Sequence, residues 1–240
     1  MTDLAKANKE YFDKLASEAN LPREWQEVSD MISRELRKRL DWIGVNWASP
    51  SSPDSDHEVR FLDYACGSGS MTRAFAPYIT TAIGIDISPN MIKLFSQLAE
   101  ASGLPSSHIT AVVGDLLSTP PTENVCTREF HDFDLAAIGL GFHHFGDQAA
   151  ALQRLAERLR PGGVVLIVDL RGDHPMHGKG HPAMKTIHRG GFEEEEVKRL
   201  FEGVGLVEFG FQTLPEKMRM KKGDSTFERE VFVAKGRKPG

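Results

Sequence analysis

Three groups of residues in this chain have the types and spacing that chemistry requires. The first is Asp63-Tyr64-Ala65-Cys66-Gly67-Ser68-Gly69, an Asp-x-x-x-Gly-x-Gly pattern. Its glycines lack side chains that would block close approach of a ligand. The second is Asp86, about twenty residues further on, the spacing at which a carboxylate closes on ribose hydroxyls. The third is the pair His143-His144; imidazole, with a reference pKa of about 6.5, is the side chain best suited to move a proton near neutral pH. A dinucleotide fingerprint requires a third glycine, and Thr72 stands at that place. A phosphate-binding P-loop requires Lys-Ser or Lys-Thr after the last glycine, which is absent here. An acidic residue inside the turn repels phosphate and suits a cationic or amino-bearing ligand.

These residues must be positioned by strands and helices, and the sequence predicts an alternation of the two. Val59–Tyr64 reads as a buried strand, followed by the glycine turn and a helix from Ser70 with Met71, Ala74 and Phe75 at helical spacing. Thr80–Ile87 is a second strand, with Ser88 as helix cap and Pro89 at the first helical position. Ile109–Gly114 is a third strand and Phe133–Leu140 a fourth, apolar enough to be covered on both faces. Gln148–Leu159 reads as a helix stopped by Arg160-Pro161-Gly162-Gly163, and Val164–Leu170 as a fifth strand. Phe192–Val204 is a helix, Leu206–Leu214 a strand and Phe227–Lys235 the last strand, with Pro215–Ser225 a solvated hairpin loop between them. Such alternation predicts a doubly wound parallel sheet. Ahead of it lie two helices, residues 3–19 and a second opened by Pro22 that carries Trp25, Val28, Met31, Ile32, Leu36, Leu40 and Ile43 on one stripe. Glu35 and Arg39 can pair along it. The expected division is a helical lid at residues 1–48, a Pro- and Ser-rich linker at 49–57 and an α/β core at 58–240.

Composition narrows the function. The 240 residues carry a net charge of −5, with no basic excess to draw nucleic acid. Cys66 and Cys126 form no disulfide or metal framework. No basic start with an apolar core reads as a signal peptide, and no apolar run is long enough to span a membrane. A cytoplasmic protein, monomeric or homodimeric, without nucleic-acid or membrane partners, is the expectation.

The glycine turn, Asp86, Asp115-Leu116, the Phe133-Asp134 strand and Leu159-Arg160-Pro161-Gly162-Gly163 stand in an order and spacing that resembles the class I methyltransferases dependent on S-adenosylmethionine. The resemblance covers roughly residues 58 to 170, and its nearest flavour is the small-molecule enzymes related to quinone-biosynthesis methyltransferases. It implies a Rossmann-like, seven-stranded, mostly parallel sheet with the last strand antiparallel. It also implies S-adenosylmethionine as cofactor, held by the glycine-turn residues Asp63, Ala65, Cys66, Gly67 and Gly69. Asp86, Ile87 and Met91 would take the ribose side. Gly114, Asp115 and Leu116 would take the adenine, the carboxylate at its amino group and the leucine on the ring. Leu140 and Gly141 would also bind the cofactor, and Tyr11 would pack over it from the lid.

The chemistry that the resemblance implies is transfer of the sulfonium methyl to a small organic acceptor through an oxygen, nitrogen, sulfur or carbon nucleophile. His143 and His144 are the candidate catalytic residues; leaving a strand, they should point opposite ways, so that one at most faces the methyl. His174, His177, His181 and His188 match no zinc signature, and no metal is expected. Asp147 and Asp169 are unpersuasive as metal ligands. The alternatives are a protein methyltransferase, or a cofactor-binding regulatory or interaction module without transfer activity. The sequence Leu140-Gly141-Phe142-His143 lacks the Pro-Pro motif found in enzymes that methylate base amines.

Overall fold

The computed structural model describes residues 1–17, 23–48, 57–174, 182–222 and 225–240. The linker expected at 49–57 therefore lies outside the described residues except for its last position, as do Pro22, His177 and His181.

Helix α1 (Asp3–Ser17) is followed by α2 (Arg23–Arg37) and the short α3 (Leu40–Ile43). The core then runs β1 (Arg60–Tyr64), α4 (Ser70–Phe75), β2 (Thr81–Asp86), α5 (Pro89–Ala101), β3 (Ile109–Val113) and β4 (Phe133–Gly139). It continues through α6 (Gln148–Arg158), β5 (Leu159–Leu170), α7 (Glu194–Gly203), β6 (Val207–Thr213), a hairpin of β7 (Met218–Lys222) and β8 (Ser225–Arg229), and β9 (Val231–Arg237). The main sheet has seven strands in the order β3-β2-β1-β4-β5-β9-β6. Strands β1 to β5 pair in parallel, and β9 lies antiparallel to both β5 and β6. The expected doubly wound sheet with an antiparallel last strand is therefore present.

Alternate strand residues feed opposite faces. Phe61, Leu166 and Val233 join Met31, Leu36, Ile43 and Phe75 in one apolar cluster. Leu62, Val165 and Phe232 join Leu155, Val197 and Phe201 in the other. Helix α2 thus sends its stripe into the same cluster as the sheet. Glu35, nearly enclosed, is satisfied by Arg39 at 2.7 Å and Lys38 at 2.6 Å; burial works to raise its pKa, but those two cations hold it below the usual carboxylate value. The chain winds outward from β1 to β3 and returns to β4, so the strand order reverses between β1 and β4. In open α/β sheets, ligands bind at that switch point, beyond the C-terminal strand ends.

Two expectations fail near the C-terminus. Pro215–Ser225, expected as a solvated hairpin loop, does form a hairpin of β7 with β8, but it is not wholly solvated, because Met218 is buried. The last strand is not continuous from Phe227, because β8 ends at Arg229 and β9 starts at Val231. Arg229 anchors the break by donating to the carbonyls of His174, Arg171, Gly172 and Gly190. The alternation Met218-Arg219-Met220-Lys221 was a strand signal obscured by its charge.

Candidate active site

A cavity of about 1220 Å³ opens at the C-terminal strand ends, between the glycine turn and α1. That is ample for a drug-sized ligand, whose pockets run roughly 300–1,000 Å³. Asp86 and Asp115 line one side, the glycine turn and Leu140-Gly141 the centre, and His143, His144 and Leu170 the other side. The sequence of strand ends β3, β2, β1, β4, β5 sets that order.

The glycine turn is held by internal bonds, not left open as a row of donors. Gly67 N donates to Asp86 Oδ2 at 2.9 Å, and Thr72 N to Asp63 Oδ2 at 3.1 Å. Cys66 N and Gly69 N are taken by the carbonyls of Ile85 and Cys66. Gly69 has φ +84°, and a Cβ there would meet Phe95 at 2.5 Å, so the turn packs directly on α5. Thr72 is useful where a third glycine was absent: its hydroxyl donates to Asp63 at 2.7 Å. Asp63 is fully buried and does not line the cavity. Burial pushes its pKa up to about 7, against the pull of the Thr72 bonds. Its observed work is to tie β1 to α4. Ala65, Cys66 and Gly67 do line the cavity. Ala65 and Leu140 both adopt φ +53°, an uncommon conformation for residues with a Cβ that concentrates at functional sites. A Cβ on Gly141 would come within 3.2 Å of Ala65 Cβ.

Asp86 caps the other side of the turn. Its second oxygen accepts Ser88 N at 2.9 Å, and Ser88 Oγ in turn accepts Met91 N. Burial raises its pKa, with Asp13 adding to the effect and the backbone donors opposing it. Ile87 and Met91 line the cavity beside it. Asp115 also lines the cavity and accepts Leu117 N at 2.8 Å. Gly114 and Leu116 do not: Leu116 is wholly buried in the second apolar cluster, and a Cβ on Gly114 would strike Val125. Leu117 lines the cavity where Leu116 was expected.

The histidines correct one expectation outright. They lie on a 3-10 turn, Phe142–His144, not on an extended strand. Their rings therefore sit 4.1 Å apart, and both line the cavity. His143 Nδ1 lies 2.7 Å from Asp169 Oδ1, and its backbone N–H donates to Asp169 Oδ2 at 3.1 Å. Asp169 Oδ1 also accepts Leu170 N at 2.6 Å, and the carboxylate is fully buried. His144 Nδ1 donates to the Thr186 carbonyl at 2.7 Å, and its ring meets Phe12 edge-on at 5.1 Å. His188, whose N–H donates to the His143 carbonyl, lines the cavity; the His174 carbonyl is held by Arg229. Among the described residues, no group of three or more His, Cys, Asp or Glu is arranged to hold a metal. Asp147 instead caps α6 through Ala150 N.

Helix α1 forms the roof. Tyr11, Asn8 and Phe12 line the cavity, Phe12 packing against Trp25 of α2. Asp13 fixes the helix across the cleft, accepting Ser88 Oγ at 2.8 Å and Asn90 N at 2.9 Å. Asn8, Phe12, Asp13, Asp169 and Met218 were missed as site residues. Only the tertiary fold brings them to the strand ends.

Residues 61–163 match a family model described as a methyltransferase domain. An uncharacterized methyltransferase of Schizosaccharomyces pombe is 28% identical over 154 residues, 62% of this chain and 53% of that protein, so the chain spans about half of its length. A demethylmenaquinone methyltransferase of Staphylococcus aureus is 24% identical over 230 residues, covering 84% of this chain and 87% of the relative. A solved structure from Bacillus halodurans, titled a putative methyltransferase, superposes with a TM-score of 0.60 at 18% identity, covering 86% of this chain and all of that one. No helix among the described residues is long and apolar enough to cross a membrane. Sheet order, glycine turn and family match agree on a methyltransferase domain over residues 61–163.

Proposed function

We propose that this chain transfers a methyl group from S-adenosylmethionine to a small organic acceptor, and that it acts in the cytoplasm as a monomer or homodimer, apart from nucleic acid. One observation carries the reading. A single cavity joins Asp86, Asp115 and the glycine turn to His143 and its buried partner Asp169.

The donor set suits this cofactor. Carboxylates of Asp86 and Asp115 match ribose hydroxyls and an amino group, and their charge disfavours a phosphate. Ala65, Cys66, Gly67, Ile87, Met91, Leu140, Gly141 and Tyr11 would complete its walls. Asp63, Gly69, Gly114 and Leu116 would support them from behind. When bound, the cofactor supplies an electrophilic methyl through its sulfonium, so the protein's share is orientation and exclusion of water. His143 would accept a proton from the acceptor through Nε2. Helix α1, residues 1–48 being the expected lid region, would cover both ligands. The resemblance to a demethylmenaquinone methyltransferase supports a small-molecule acceptor over a protein side chain.

The direct test is incubation of the protein with methyl-labelled cofactor and a metabolite extract, followed by mass spectrometry. A labelled small-molecule product is expected; label found only on protein would reassign the acceptor.

The roof gives a further expectation. Asp13→Ala removes the acceptor for Ser88 Oγ and Asn90 N. Loss of such a cap costs about 0.5–2 kcal/mol, so the affinity for S-adenosylhomocysteine should fall by roughly two- to thirtyfold if α1 must stay docked. Circular dichroism should be unchanged. Equal affinities in calorimetry would show that α1 does not close the site.

A further inference from the structure

Four backbone carbonyls converge on the buried guanidinium of Arg229, at the end of β8. Nη1 donates to His174 O at 2.9 Å, and Nη2 to Gly190 O at 2.7 Å, Gly172 O at 2.8 Å and Arg171 O at 3.2 Å. These oxygens belong to the two ends of one excursion of the chain: residues 171–174 leave β5, and Gly190 returns toward α7. The ends press together without room for side chains, since a Cβ on Gly190 would strike the His174 backbone and one on Gly191 the Gly172 carbonyl. Carbonyl oxygens crowded in this way need donors between them, and a guanidinium offers five N–H groups in a fixed fork. The same excursion builds the histidine end of the cavity. Thr186, Ile187 and His188 line it, Thr186 O accepts His144 Nδ1, and His188 N donates to the His143 carbonyl. Met218, which stands opposite Arg229 in the β7–β8 hairpin, lines it too. Arg229 itself does not line the cavity.

Resting on the methyltransferase reading above, in which the histidine end receives the acceptor, we infer that Arg229 is a positioning residue for the acceptor. It ties the β7–β8 hairpin to the neck of the excursion, and so sets the spacing between Met218 and the wall at residues 186–188. The width of the acceptor end, and hence which acceptors fit, is fixed from outside the cavity by one side chain. Lysine is no substitute: its ammonium is a compact point charge, which cannot span carbonyls from two chain ends as a fork does. Asp86, Asp115 and the glycine turn line the opposite end of the cavity, so cofactor binding is indifferent to Arg229.

The test uses the full chain with Arg229→Gly, which leaves a hole of guanidinium shape, and Arg229→Lys. Guanidinium chloride at millimolar concentration, far below denaturing levels, is the probe, and sodium chloride the control. Calorimetry should show the affinity for S-adenosylhomocysteine changed by less than about twofold in both variants, as for separate sites. In a nitrogen-15 histidine spectrum, assigned with His144→Gln, the His144 Nδ1–H signal of Arg229→Gly should move and should return with guanidinium but not with sodium chloride. With methyl-labelled cofactor and a dilution series of metabolite extract, labelled product should fall by roughly tenfold or more at limiting extract and recover with guanidinium. The loss should shrink at saturating extract, because KM rises more than kcat falls. Arg229→Lys should show the same losses without rescue, and it decides if the glycine variant does not fold. The spectrum decides even where the extract holds no acceptor. An unmoved His144 signal, a moved signal that guanidinium does not restore, or wild-type behaviour of Arg229→Lys would overturn the inference. A wild-type protein that binds no S-adenosylhomocysteine would instead overturn the methyltransferase reading beneath it, whatever the histidine spectrum shows.

Discussion

Replacing His143 with Gln is expected to lower kcat by roughly 10²–10⁴-fold, the range that a positioned general base contributes. Glutamine keeps the size of the side chain but has no nitrogen that can take a proton. Affinity for S-adenosylhomocysteine should stay nearly constant, because His143 stands at the end of the cavity away from Asp86 and Asp115. His144→Gln should behave differently. That ring is tied to the Thr186 carbonyl and Phe12, so its loss should loosen the roof and raise KM more than it lowers kcat. Steady-state kinetics across pH 5 to 8 separate the two; wild-type behaviour in His143→Gln would leave the reaction resting on alignment alone.

The second large effect is expected at Asp86, and it is double. Its carboxylate accepts Gly67 N and Ser88 N, both at 2.9 Å, in a nearly closed environment. Asp86→Ala leaves two backbone donors unsatisfied, at about 1–3 kcal/mol each. The unliganded protein should therefore melt several degrees lower, contrary to the simple expectation for a residue that only touches ligand. Ribose hydroxyls would bond the lone pairs that remain, and charge-assisted bonds of about 1.5–3 kcal/mol each put the affinity loss at roughly ten- to a hundredfold or more. Calorimetry well below the melting point of the variant, beside thermal denaturation, reads the two effects separately. A lower melting point with unchanged affinity would make Asp86 purely a clasp for the glycine turn.

Much of this was legible in the sequence because it depends on local chemistry. The apolar run Phe133–Ile138 had to be buried on both faces, and Ser88-Pro89 had to open a helix; both do. Asp86 was legible from its distance to the glycine turn. The illegible parts depend on partners remote in the chain. Nothing near Asp169 in sequence indicates that β5 lies beside β4 with this carboxylate opposite His143. Asp13 reaches Ser88 only because α1 crosses to α5. Asp63 looked like a ligand contact, yet Thr72 at the place of a third glycine draws it inward. Leu116 and Leu117 exchanged roles because one residue of rotation after β3 decides which side chain enters the core. The histidine pair was misjudged geometrically, since a 3-10 turn, unlike a strand, sets adjacent rings side by side.

The choice of cofactor is decided most directly by calorimetric titration of the unliganded protein with S-adenosylhomocysteine and, separately, with NAD. The turn commits its Cys66, Gly67, Gly69 and Thr72 N–H groups internally and places Asp86 and Asp115 at the cavity wall. A diphosphate would meet the negative charge of Asp86 and Asp115, whereas a phosphate-free sulfonium nucleoside would meet carboxylates that accept its hydroxyls and amino group. Saturable binding of S-adenosylhomocysteine with no heat from NAD is the expected result. Preferential binding of NAD would contradict it.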